Sequence, residues 1–381
     1  MVHTRLKKEM EERARRISGA VGRWLANEGG LLEASVEQTV TTGLFPRHDV
    51  QYALQSLRET VHEEALFEWI NQTLTRCTPA EREQGSVLCL HAGNLPLVGV
   101  QDVLATLLSG ERYLGKLSSK DPWLMDGLLR VLREEMGGQI EGWSTSPEAF
   151  SGAEAGRAMF SGAASSVQQV IALLLEKQMV AKKAPLLART ARFSVAWLSN
   201  GCKEQSRSEL VEAIMRYEGQ GCRSVAVVVA PDALEDSFPV LKPQIRAFLK
   251  DNRPYHPQSP GTAYWKSYLK SVGKPALKAG PMIFTDDPSM AGKKQFITWI
   301  QGGINEVESI ASRFGKSIQN IYLEDESYLD MEKNAVLSGK NTEKSVTETH
   351  PDVFERLSRA QKPNISWKPD GEDALEWLLL Q

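Results

Sequence analysis

Apolar residues recur at helical spacing through the first part of the chain. Leu6, Met10, Ala14, Ile17, Val21 and Leu25 fall three or four residues apart, which places them on one face of an amphipathic helix. The stretch LFPRHDVQYALQSLRETVHEEALFEWI predicts two further short helices, with Pro46 near the start of the first. At Ser86 the period changes. SVLCL is a short apolar run of strand type, HAGNLPLVG a glycine- and proline-bearing loop, and QDVLATLLSG a helix ending at Gly110. RYLGK then predicts a second strand, so the segment reads as a βαβ unit with a right-handed crossover and a parallel sheet.

The alternation continues. Pro122-Trp123 opens a helix to about Met136, and RAMFSGAASSVQQVIALLLEK gives a strand, a small-residue turn and a helix. KQMVAKK and RFSVAWL are two more strand candidates, and EQSRSELVEAIMRYE is a helix leading to GQGC and the β-branched run from Val225 to Val229. From residue 86 to 230 this predicts a doubly wound α/β arrangement. Beyond Pro231 the chain is more polar. DALEDSFPVLKPQIRAFLKDN reads as helix, NRPYHPQSPGTAYW as loop, and PMIFTDD and IQNIYLED as strands. A polar stretch, EKNAVLSGKNTEKSVTETH, precedes a final helix in DGEDALEWLLLQ, for which Asp370 or Asp373 is the expected N-cap.

Composition narrows the function. The chain has 381 residues, is 41% hydrophobic and carries a net charge of −3, so no global field draws it to nucleic acid or to a membrane surface. No apolar run is long enough to span a bilayer, and the charged N-terminus is not a signal peptide, so a cytoplasmic setting is expected. Four cysteines (Cys77, Cys89, Cys202 and Cys222) make no disulfide framework and show no zinc-ligand spacing.

Candidate chemistry sits at loop–element junctions. Cys222 follows Gly219-Gln220-Gly221, where glycine lets backbone approach a ligand and a thiolate nucleophile could stand; a small core hydrophobe is the alternative. Asn94 follows the first strand and could donate to an oxyanion, or close its own turn. Lys116, at the end of RYLGK and followed by Ser118 and Ser119, could meet ribose or phosphate oxygens, or remain a solvated lysine. Ser161-Gly162 precedes a helix whose free N–H groups favour a phosphate, although the turn lacks the GxGxxG fingerprint. Lys182, Lys183, Arg189 and Arg192 could meet CoA or cofactor phosphates, but read in the first instance as a solvated basic face.

In order and separation, GNLPLVGVQDVLATLLSGERYLGKLSSKD, FSGA, RFSVAWL and YEGQGCRSV together resemble the aldehyde dehydrogenase superfamily. The branch they are most similar to is the acyl-CoA reductases that include the fatty-acid reductase of bacterial luminescence. That resemblance implies an α/β, aldehyde-dehydrogenase-like fold of two doubly wound domains with the active site between them. Residues 1–200 would bind cofactor, 201–345 would carry the thiol, and 346–381 would return to the body or to a partner subunit. By position it makes Cys222 the nucleophile, Asn94 and the Cys222 N–H the oxyanion donors, and Lys116, Ser118, Ser119, Ser161 and Gly162 the cofactor contacts.

The resemblance implies reduction of an acyl-CoA or other acyl thioester to a fatty aldehyde, and a homo-oligomer. The general-base glutamate of aldehyde-oxidising relatives is missing from Val195–Asn200, which disfavours hydrolysis to the acid. Ser119 and Lys120 replace a ribose-gripping glutamate, pointing to NADPH with NADH as the other possibility. The alternatives are a reductase fed by an acyl phosphate, a carrier protein or an acyl-transferring partner protein, and an idle scaffold that keeps the fold.

Overall fold

The computed structural model describes residues 2–42, 44–79, 84–190, 192–257, 259–324 and 353–380. The polar stretch from Glu332 to His350 lies outside the described residues. The chain divides into two compact units, Met1–Thr190 with Pro363–Gln381, and Ala191–Lys362.

In the first unit, strands β1 (Ser86–Leu90), β2 (Arg112–Lys116), β3 (Ile140–Ser144), β4 (Arg157–Gly162) and β5 (Leu186–Thr190) form a parallel sheet in the order β3-β2-β1-β4-β5. Side chains alternate across it: Val87 and Cys89 join the cluster built with the N-terminal helices, and Leu88 and Leu90 join one with Phe150, Phe160 and Leu174. The expected amphipathic helix runs over Val2–Leu25 and fully buries Met10, Ala14, Ile17 and Val21. The chain goes from β1 outward to β2 and β3, then returns to lay β4 on the other side of β1. That reversal makes the C-terminal ends of β1 and β4 a topological switch point, where open α/β sheets bind ligands. Register brings those ends level, because Leu90 pairs with Lys116 on one side and Phe160 on the other.

The C-terminal segment returns to this unit. The Gln101 amide donates to the carbonyls of Ile365 (2.7 Å) and Trp367 (2.6 Å), and Asp370 accepts from the Thr190 N–H at 2.8 Å. Of the two expected caps, Asp373 takes the role for the helix Ala374–Leu380 by accepting the Leu375 N–H at 2.9 Å. Its buried carboxylate also receives Trp69 Nε1 at 3.0 Å and the Arg76 guanidinium at 2.6 Å.

In the second unit, β6 (Phe193–Trp197), β7 (Val225–Ala230), β8 (Leu277–Ala279), β9 (Met282–Thr285), β10 (Phe296–Gln301), β11 (Ile318–Leu323) and β12 (Phe354–Arg356) lie in the order β12-β11-β6-β7-β10-β9-β8. All pairs are parallel except the β8–β9 hairpin.

Three sequence expectations change. RFSVAWL, expected before a boundary at residue 200, is β6 and pairs with β7 and β11, beyond the division at residue 190. KQMVAKK contributes only the isolated bridge from Val180 to Ala155, and β5 follows it instead. Part of the expected loop NRPYHPQSPGTAYW is the start of the helix Pro260–Ser271. Its first-turn proline costs nothing there, and the Ser259 hydroxyl caps the Thr262 N–H at 3.1 Å.

Asp373→Ala removes a cap and leaves the indole and guanidinium donors without their carboxylate. It is expected to cost about 2–3 kcal/mol, read as a lower urea midpoint by tryptophan fluorescence; an unchanged midpoint would contradict this role for the tail.

Candidate functional site

The candidate residues occupy two places, one in each unit. The first is the C-terminal edge of the first sheet. The His91 N–H donates to the Lys116 carbonyl at 2.9 Å, which carries the ladder one residue past β1. The His91 ring is buried, with Nε2 2.7 Å from the Tyr113 hydroxyl, and burial pushes its pKa down to about 4. Gly99 is required beside it, since a Cβ there would lie 1.8 Å from His91 Nδ1. Gly93 has a similar reason, because its Cβ would lie 1.9 Å from Ser118 Oγ. The loop bearing Asn94 is thereby pressed onto the segment after β2, and Asn94 itself is exposed.

Lys116 is half-buried at the end of β2, and Ser118 Oγ accepts the Lys120 N–H at 3.2 Å. Ser119 and Lys120 are exposed. At the end of β4, Ser161 and Gly162 pair with Arg189 and Thr190 of β5. Any Cβ on Gly162 would meet the Phe160 ring at 2.4 Å. The chain then turns through Ala164–Ser166 into the helix Val167–Glu176, which has no side-chain cap and no acidic residue in its first turn. Its leading N–H groups can therefore take an anion. Asn94, Lys116, Ser118, Ser119, Ser161 and Gly162 thus share one sheet edge, which offers an uncapped helix start after β4, a half-buried lysine at the end of β2, two strands away, and an exposed Ser-Lys pair.

One basic residue departs from expectation. Arg189 is only 8% exposed and forms a buried ion pair with Asp102 of the helix Val100–Ser109. It belongs to the packing between β5 and that helix, not to a solvated face.

The second place is the turn that precedes β7. The helix Glu204–Met215 ends and Arg216, itself buried, donates to Glu212 (2.8 Å) and Asn252 (2.6 Å). Tyr217 (φ 54°) and Glu218 (φ 51°) then both adopt the left-handed region. For bulky residues this costs about 1–3 kcal/mol each and persists only where the surroundings enforce it. Glu218 is buried; its carboxylate accepts the N–H groups of Tyr255 (2.7 Å) and His256 (3.2 Å) and lies 3.0 Å from His256 Nδ1. Gly219 follows at φ 68°, where a Cβ would lie 2.7 Å from Met282 Cε.

Cys222 is half-buried, and its carbonyl accepts the Ser194 hydroxyl at 3.0 Å. The next side chain, Arg223, is buried and fully engaged. It donates to the carbonyls of Ala360 and Arg359 (both 2.9 Å) and to Glu355 (2.5 Å), and lies over the Tyr322 ring. Neither Arg223 nor the Glu218–His256 pair was singled out from sequence. A charged residue directly after a candidate cysteine was the available signal for Arg223. The pairing of positions 218 and 256 had none.

Burial raises the pKa of Cys77 and of Cys89, and burial with Glu324 nearby raises that of Cys202 to about 12. Glu324 accepts the Ser199 N–H and hydroxyl (3.1 and 2.8 Å) and the Lys203 N–H (3.2 Å). These bonds hold it ionised against the cost of burial. A carboxylate thus does reach the end of β6, the strand in which none was found by sequence. It stands at the opposite end of the sheet from Cys222, on the order of 15–20 Å away by strand rise, because β6 and β7 run parallel. Among the described residues no cluster of three or more His, Cys, Asp or Glu could hold a metal, and no helix is long and apolar enough to cross a membrane.

Two outcomes follow. Iodoacetamide at pH 8 should label Cys222 ahead of Cys202, Cys77 and Cys89 in the folded protein, read by peptide mass spectrometry; earlier labelling of Cys202 would contradict the geometry. Because the His91 pKa is depressed, the unfolded chain binds the proton more readily. Stability is therefore complete above about pH 6.5 and falls as the pH drops toward 4. His91→Gln should flatten that limb of the urea-midpoint profile, and an unaltered limb would place the acid sensitivity elsewhere.

No protein-family profile matches the sequence, and no curated protein matches it. Solved structures do. An aldehyde dehydrogenase of Mycobacterium tuberculosis complexed with NAD+ superimposes with a TM-score of 0.57 at 15% identity, over 98% of this chain and 86% of that one. An NAD-dependent aldehyde dehydrogenase of Sinorhizobium meliloti gives 0.58 at 11% identity, over 85% and 72%. Staphylococcus aureus AldH in its substrate-bound state gives 0.53 at 14% identity, over 85% and 78%. The parallel sheets, the switch point at β1 and β4 and these superpositions together show that the chain has the aldehyde dehydrogenase fold.

Proposed function

We propose that the protein reduces an acyl thioester, an acyl-CoA in the first instance, to the aldehyde through an S-acyl intermediate on Cys222. The observation that carries this reading is the setting of Cys222: a half-buried thiol on a turn bracketed by the buried Glu218 and Arg223, in a fold shared with aldehyde dehydrogenases. The fold supports aldehyde or acyl redox chemistry as the reaction class, and the sheet edge of the first unit supports a nicotinamide cofactor. Lys116, Ser118, Ser119, Ser161 and Gly162 are the residues proposed to hold it. Ser119 and Lys120 favour a 2′-phosphate, and hence NADPH over NADH.

The Cys222 thiolate attacks the acyl carbonyl, a new C–S bond forms, and the C–S bond to CoA breaks with release of the CoA thiolate. The Asn94 amide and the Cys222 N–H are the proposed donors to the tetrahedral oxyanion. A nicotinamide cofactor held by Lys116, Ser118, Ser119, Ser161 and Gly162 would supply, when bound, the hydride that the acyl carbon takes up. The thiohemiacetal on Cys222 then collapses, its C–S bond breaking to free the aldehyde and restore the thiolate. Among the described residues, neither Glu218 nor Glu324 stands ready to activate water at the thiol. Glu218 accepts from the Tyr255–His256 backbone, and Glu324 caps the far end of the sheet. This favours reduction over release of a free acid.

Loss of absorbance at 340 nm from NADPH, and more slowly from NADH, is expected when enzyme meets a panel of acyl-CoA lengths. Asn94→Ala should lower turnover about 100- to 1,000-fold, and Cys222→Ala should abolish it while NADPH still binds. Wild-type turnover by Cys222→Ala would sink the reading. Turnover with acyl phosphate but not acyl-CoA would move it to a different acyl donor.

A further inference from the structure

The approach to Cys222 combines features that local sequence preference does not explain. Two consecutive non-glycine residues, Tyr217 and Glu218, are held left-handed, and the second of them buries its carboxylate. That carboxylate is met by a separate loop, through the N–H groups of Tyr255 and His256 and the His256 ring. The same ring nitrogen lies 3.4 Å from the Gln220 amide, two residues before the cysteine. On the other side, Ser194 holds the Cys222 carbonyl and Arg223 is fixed by Glu355 and the carbonyls of Arg359 and Ala360. Only Gly219–Cys222 lies between the two anchorages, with glycine at two of its four positions. A span so short and so glycine-rich takes its conformation from its ends.

We propose that Glu218 and His256 are positioning residues that clamp the N-terminal side of this turn and so set where the Cys222 thiol stands for acyl transfer. The proposal rests on Cys222 as the acyl acceptor and adds how the thiol is placed. With the carboxylate removed, the left-handed backbone at residues 217 and 218 loses the restraint that ties it to the 255–256 loop, and the turn can relax toward ordinary dihedrals. The thiol moves with it. A displacement of about 1 Å in a reacting atom is enough to lower a rate about 100-fold. Because the clamp acts on the thiol and not on substrate binding, its loss should appear in the acylation rate at saturation and leave the half-saturating acyl-CoA concentration unchanged.

The test measures acylation of Cys222 by octanoyl-CoA without reduced cofactor, using quenched-flow mass spectrometry, and alkylation of Cys222 and Cys202 by iodoacetamide in the same proteins. Glu218→Ala is expected to slow acylation at saturation about 10- to 100-fold, with Cys202 alkylation unchanged. Glu218→Gln should recover much of the loss, because its amide oxygen still accepts the two backbone N–H groups. His256→Asn should likewise retain more activity than His256→Ala, and His256, a third exposed, carries the test should Glu218→Ala fail to fold. Equal acylation rates across all four variants, or Cys202 and Cys222 alkylation shifting together, would overturn the clamp. If wild type is not acylated at all but its Cys222 alkylation still responds to the Glu218 and His256 variants, the clamp stands and the acyl-transfer reading falls.

Discussion

A buried carboxylate and a buried guanidinium stand on either side of the four residues that end in Cys222. Glu218 and Arg223 are both almost wholly removed from water, and each is satisfied by backbone groups of another segment. Unpaired buried charges would be costly enough that these partners are obligatory. The consequence is geometric. Loops near residues 255–256 and 355–360, remote in sequence, become the walls of a turn that glycines alone would leave loose. The left-handed Tyr217 and Glu218 show that the surroundings impose the conformation on the turn.

The first unit solves a different problem with simpler means. Parallel pairing sets Leu90, Lys116 and Phe160 level, so the loops after β1, β2 and β4 emerge side by side. Close contacts that admit only glycine at positions 93 and 99 then hold the loop after β1 against Ser118 and His91 at the sheet edge. The C-terminal segment locks the same unit from outside, through Asp373 against Trp69 and Arg76 and through Asp370 against the last residue of β5. The long interval between the ends of this unit is bridged by side-chain hydrogen bonds as well as by apolar packing of Leu375, Leu378 and Leu379.

Much of this was legible in the sequence, for identifiable reasons. The strand SVLCL, the helix that follows it and RYLGK are read correctly because burial on both faces, or on one stripe, writes itself directly into residue type. The aspartate cap of the last helix is local chemistry, and Asp373 was one of two named candidates. The errors are equally physical. Pro260 signals a break only if it lies inside a helix; at the first turn it signals a beginning, and the loop reading of that segment missed the difference. Arg189 looks solvated by type, yet its partner Asp102 is 87 residues away. Glu218 and His256 are 38 residues apart, and no periodicity links them. Strands β3, β5, β8, β10 and β12 passed unnoticed, and β6 lies beyond the boundary drawn for it, because pairing partners are a property of topology and not of the segment itself. Cys222 could be nominated from its glycines, but what fixes it in place could not.

The central claim is that Cys222 becomes bonded to an acyl group. Intact-protein and peptide mass spectrometry of the enzyme mixed with acyl-CoA, without reduced cofactor, tests it most directly. One added acyl mass on the peptide containing Cys222, discharged by NADPH with release of aldehyde, is the predicted result. No added mass across short, medium and long acyl chains, or the mass on another cysteine, would contradict it.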